Sequence, residues 1–215
     1  MQRYINPSLE QWKVLTQRGA ASYSSLEPLA KEVFDNVAQY GDEALKTYTE
    51  KFDKVKLEGF SVDPKEIELA KNRVPDKLKL AIQKAKENIY LFHKAQITEE
   101  VKVEIQTGVN CWQKKLPIEK VGLYIPGGSA PLFSTILMLA IPAQVAGCER
   151  IVLCSPPDIK GQLSDVILYT ANLCGIDTIF KVGGMQAIAG MTLGTETIPK
   201  VDKLFGPGNQ YVTVA

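Results

Sequence analysis

Residues Val121 to Cys148 read VGLYIPGGSAPLFSTILMLAIPAQVAGC. Val121, Leu123 and Ile125 alternate with Gly122 and Tyr124 in a β-branched and aromatic run of strand length, which Pro126, Gly127 and Gly128 then stop. A helix is expected next: Ser129 suits an N-cap, Pro131 a first turn, and an apolar run from Leu132 to Ala140 follows. Glycines at such a junction let a ligand approach the backbone, and the free N–H groups of a helix start suit a phosphate or carboxylate. The spacing is not the GxGxxG of dinucleotide-binding folds, so the stretch taken singly does not specify a cofactor.

The same plan recurs downstream. Ile151 to Cys154 is a short apolar strand ending in Ser155-Pro156-Pro157, with a helix from about Gln162 to Cys174. Thr178 to Val182 ends in Gly183-Gly184 before a helix from about Gln186, and Val201 to Phe205 ends in Gly206-Pro207-Gly208 and Asn209. Short apolar strands alternating with helices predict an α/β fold with a parallel sheet. In such a sheet the loops after the strands fall along one edge, where ligands bind. Tyr124, Gln186 and Asn209 each lie at or just beyond a strand end and offer an aromatic surface and two amides to one crevice. The repeated pattern leaves two readings open: a crevice for a nucleotide or acidic metabolite, or glycines that only make turns beside polar residues that face solvent.

Upstream the chain reads as mainly helical. Leu29, Val33, Val37, Tyr40, Ala44, Leu45 and Tyr48 recur at helical intervals, with Gly41 splitting the run into two helices. Asp63-Pro64 with Glu66 opens a short helix. Asp76 is the expected cap of another, whose apolar stripe runs through Leu78, Ala81, Ile82, Ala85, Ile89 and Phe92. From Val101 the period becomes two, and Gly108 predicts a hairpin in which Trp112 packs. The expected organisation is a mainly helical region with a hairpin over 1–118, part of a first, incomplete α/β domain, and a Rossmann-like unit over 119–215.

Composition removes whole classes of function. With 25 basic and 24 acidic residues the chain has no strong field of either sign, which argues against nucleic acid and acidic membrane surfaces as partners. No apolar run is long enough to span a bilayer, the N-terminus lacks a signal-peptide core, and the expected location is the cytoplasm. Cys111, Cys148, Cys154 and Cys174 form no CxxC pair and read as core thiols. His93 is the only histidine, so a site that needs several cannot be completed here. Ser129 and Ser134 are not in GxSxG, GxxxxGK[ST] is absent, and Asp158 reads as a loop or N-cap residue rather than a ribose-binding acid.

The long stretch from Val121, together with IVLCSPP, LCGI, VGGMQAIAG, IPKVDK and FGPGN, resembles the histidinol dehydrogenase family over nearly the whole chain. GDEAL, YTEKFD, FHKAQ and GVNCW match upstream in the same order. The resemblance implies zinc-dependent homodimers with incomplete Rossmann-like domains that oxidise L-histidinol through the aldehyde to L-histidine and reduce two molecules of NAD. It implies NAD contacts at Tyr124, Gln186 and Asn209, with Gly127 and Gly128 shaping the approach. The family's catalytic Glu-His pair and zinc ligands follow the GPGN motif, so the expectation is an N-terminal portion, inactive alone, with no catalytic or metal residue of its own. The alternative is a non-catalytic Rossmann-like nucleotide-binding or assembly module.

Overall fold

A strand buried on both faces must be apolar on both, and the central run meets that condition. In the computed structural model, which describes residues 3–16, 23–127 and 131–215, the side chains of β3 (Lys120–Tyr124) alternate between two hydrophobic clusters. Leu123 and Ile125 join one, and Tyr124 joins the other. β4 (Arg150–Cys154) alternates in the same way, Leu153 against Val152 and Cys154. With β5 (Ile179–Phe180) and β6 (Lys203–Phe205) these strands make a four-stranded parallel sheet in the order β5-β4-β3-β6. Before it stands a separate antiparallel hairpin, β1 (Val101–Gln106) with β2 (Val109–Gln113).

The strand order fixes where the helices go. From β3 the chain moves outward through α5 (Phe133–Ala146) to β4 and through α6 (Asp165–Leu173) to β5. It then crosses back through α7 (Gly184–Leu193) to β6 on the other side of β3. Crossovers between parallel strands are right-handed, so reversing the direction of travel moves the connecting helix to the opposite face. α5 and α6 accordingly belong to one hydrophobic cluster and α7 to the other. The reversal at β3 is the switch point at which open α/β sheets form a crevice.

The helical region wraps both faces. α2 (Glu27–Asp53) packs along α7, while α3 (Pro64–Arg73) lies on α6 and α4 (Asp76–Lys94) on α5. α2 is two helical arms meeting at Gly41, whose φ of 50° and ψ of −126° break the helix as the glycine predicted. The joint is clamped to the loop after α7: the Asp42 N–H donates to Glu196 at 2.8 Å, and the Thr197 hydroxyl donates to the Asp42 carboxylate. Phe60 and Val62 bond to the free edge of β5, through Lys181 N–H to the Phe60 carbonyl and Val62 N–H to the Ile179 carbonyl, which covers that edge.

Local signals held best where the determinants are local. Asp63 and Glu66 form a reciprocal capping box at α3. Asp76 is instead the first helical residue, with Pro75 as the cap and Lys79 paired to the Asp76 carboxylate at 3.0 Å. α5 starts at Phe133 with Leu132 as its cap, so Pro131 precedes the helix rather than entering its first turn, and Ser129 lies outside the described residues. On α4 only Ile82 is fully buried, and Phe92 is 67% exposed. Trp112 is also outside any core, 64% exposed on a hairpin whose strands pair only with each other.

Leu45 is fully buried in the α2–α7 seam, against Gly190. Leu45→Ala is expected to lower unfolding free energy by about 2–5 kcal/mol, measured from the urea midpoint.

Candidate functional site

Past the C-terminal ends of β3 and β4 lies a cavity of about 720 Å³. Tyr124, Gly127, Gln186 and Asn209 all line it, so the structure brings four of the five sequence-selected residues to one place. The fifth, Gly128, lies outside the described residues. Three further cavity residues carried no strong sequence signal: Ser155, Pro156 and, at the last position of α2, Asp53.

Each side chain is set by the element beneath it. Tyr124 ends β3 and is buried, and its hydroxyl oxygen accepts the Gly184 N–H at 3.1 Å, tying the central strand to the start of α7. Gly184 is the first residue of α7 with φ of 61°, and a Cβ there would stand 2.7 Å from the Gln186 Oε1. Only glycine meets both conditions without strain. Gly127 faces Pro156, whose Cγ would sit 2.6 Å from an added Cβ, so the proline after β4 wedges against the loop after β3.

Gln186 is fully buried, and its Nε2 donates to the Asp53 Oδ2 at 3.3 Å. Its Oε1 is buried with no donor in reach, an arrangement that folded proteins rarely leave uncompensated. Asn209 caps α8 (Gln210–Val214): its Oδ1 accepts from the N–H groups of Tyr211 and Val212 at 3.0 and 3.3 Å, which leaves its Nδ2 as a donor at the cavity. Asp158 is absorbed by its own loop, its Oδ1 accepting from Lys160 and Gln162 N–H groups at 2.8 and 2.9 Å, in agreement with its reading as a loop residue.

The electrostatics are one-sided. Among the described lining residues the ionisable acids are Asp53 and Asp158, and no lysine, arginine or histidine is present. Burial pushes the Asp53 carboxyl up to about 6. Burial also raises the Tyr124 hydroxyl, and the Asp53 charge adds to the rise. Positive potential comes from the start of α7, whose Met185 and Gln186 N–H groups fall in the first turn without intrahelical acceptors.

Elsewhere, of the four expected core thiols Cys154 and Cys174 are buried and held protonated by burial, whereas Cys148 is half-buried and Cys111, on the hairpin, is exposed. His93 does not line this cavity; it is half-buried in the last turn of α4, edge-on to Phe92. No cluster of three or more His, Cys, Asp or Glu side chains that could hold a metal occurs among the described residues.

The sequence model of the family described as histidinol dehydrogenase matches residues 16–215. The chain is 53% identical over 209 residues to the histidinol dehydrogenase of Bacteroides thetaiotaomicron, covering 97% of this chain and 49% of that protein. It is likewise 53% identical over 209 residues to that of Salmonella typhimurium, covering 97% and 47%. The crystal structure of histidinol dehydrogenase from Elizabethkingia anophelis superposes with a TM-score of 0.92 at 54% identity, over 99% of this chain and 49% of that one. The chain therefore spans about half the length of the relatives it matches.

Two outcomes follow from the site geometry. Folded Asp53 holds its proton up to about pH 6, whereas the unfolded carboxyl releases it near 3.8, so stability falls as pH rises through that window. Asp53→Asn should raise the melting temperature at pH 7 and converge on the parent near pH 4, read by thermal scans at both. Gly184→Ala should lose about 1–2 kcal/mol of stability from the left-handed backbone alone, measured by chemical denaturation.

Proposed function

The chain belongs to the histidinol dehydrogenase family, and on that premise we propose that its cavity positions NAD in an enzyme oxidising L-histidinol through the aldehyde to L-histidine. The observation that carries the reading is the buried Gln186 Oε1, an acceptor without a donor, in a cavity at the edge of a parallel sheet that Asn209, with its uncommitted Nδ2, also lines. An uncharged group bearing both donors and acceptors, such as a carboxamide or a ribose, complements that pair.

NAD, when bound, supplies the hydride acceptor. The residues of this chain hold and orient it. The Tyr124 oxygen is engaged by Gly184 N–H, which leaves the phenolic hydrogen to donate into the cavity. Gln186 accepts, Asn209 donates, and the first turn of α7 offers the N–H groups of Met185 and Gln186 as further donors. Pro156 packs closely against Gly127 and joins the two loops into one wall of the cavity.

The whole protein, on this reading, takes L-histidinol and NAD, works as a cytoplasmic homodimer and uses zinc. Zinc does not fit the residues present, since no set of metal-holding side chains occurs among those described. No helix among the described residues is long and apolar enough to cross a membrane.

In the intact protein, Gln186→Ala and Asn209→Asp are each expected to weaken NAD binding about tenfold by calorimetry. The aspartate keeps the acceptor that caps α8 while removing the donor, which separates ligand contact from capping. An unchanged NAD affinity in both variants would overturn the assignment.

A further inference from the structure

Asp53 stands where helix physics disfavours it. An acid in the last turn of a helix faces the negative end of the dipole, and the next residue, Lys54, already leaves the helix in the left-handed region. Local stability of α2 therefore does not explain an aspartate here.

Its contacts supply another reason. The Asp53 Oδ2 accepts from Gln186 Nε2 across 133 residues of sequence, and it is the one hydrogen bond this carboxylate makes among the described residues. Holding Nε2 decides which end of the buried amide is left over: Oε1, beside Gly184 and without a donor. The other carboxylate oxygen, Oδ1, remains an acceptor on a residue that lines the cavity. The second cavity acid is committed to its own loop, and no basic residue lines the cavity among those described.

We propose that Asp53 is a positioning and recognition residue of the nucleotide site. One oxygen orients the Gln186 amide, and the other accepts from an uncharged donor of the nucleotide, a ribose hydroxyl or a carboxamide N–H. Phosphate is excluded from this corner because a carboxylate without a cation repels it. The proposal rests on the NAD reading given above. It assigns Asp53 a place in ligand recognition despite its position on the last turn of a helix from the other end of the chain.

The test titrates NAD into the intact protein by calorimetry for wild type, Asp53→Asn, Asp53→Ala and Gln186→Ala, with thermal melts in parallel. Both Asp53 variants are expected to bind NAD about tenfold more weakly or worse, and Asp53→Asn is expected to melt no lower than wild type at pH 7. Weaker binding in a protein of undiminished stability is the signature that a merely structural carboxylate would not give. Should Asp53→Ala fail to fold, the isosteric asparagine decides. Dissociation constants within twofold of wild type for Asp53→Asn, while Gln186→Ala is weakened, would overturn the role of Asp53 and leave the NAD reading standing. Wild-type protein that binds no NAD would overturn both.

Discussion

β3 pairs in parallel with β4 on one side and β6 on the other, and most of the structure depends on that double pairing. It forces the chain to travel outward and then return across the sheet, which places α7 opposite α5 and α6. It also opens the end of the central strand, because loops leaving neighbouring strands diverge there. Tyr124 ends that strand. Its hydroxyl closes the gap to the start of α7, so the same residue is the floor of the cavity and a brace between two layers.

The second constraint is the seam between α2 and α7. Sheet and helix burial supplies the apolar stabilisation on this face, through residues such as Val33, Val37, Leu45 and Met191. At one end of the seam Asp42 and Glu196 tie the kink at Gly41 to the loop after α7. At the cavity end Asp53 meets Gln186. The polar contact joins the fully buried Gln186 to a partly buried carboxyl, which desolvation pushes up to about 6. Functional sites commonly combine such desolvation with a specific partner.

How much of this was legible in the sequence follows the range of the interactions. The α3 cap could be read because Asp63 and Glu66 are three residues apart and satisfy each other. The parallel sheet could be read because strand burial is written in each strand. Tyr124, Gln186 and Asn209 could be brought to one edge because topology alone aligns strand ends. The start of α5 is less legible: Pro131 suits a first turn, but the helix begins only at Phe133. Phe92 and Trp112 fit the expected periodicity, yet among the described residues both stay largely exposed. Asp53 was out of reach because its partner is distant in sequence; the available hint was an acid in the last turn of a helix.

The hairpin has a consequence for local order. Among the described residues β1 and β2 pair only with each other, every residue in them is exposed, and Val101, Val103, Ile105 and Trp112 are each at least half uncovered. A two-stranded ribbon with no packed face is marginal in water. Its amide hydrogens therefore open to solvent through local fraying, at a free energy well below that of global unfolding, whereas those of β3 exchange only when the sheet itself comes apart. The chain thus carries two grades of β-structure a few residues apart, one protected by the whole fold and one by little more than its own ladder.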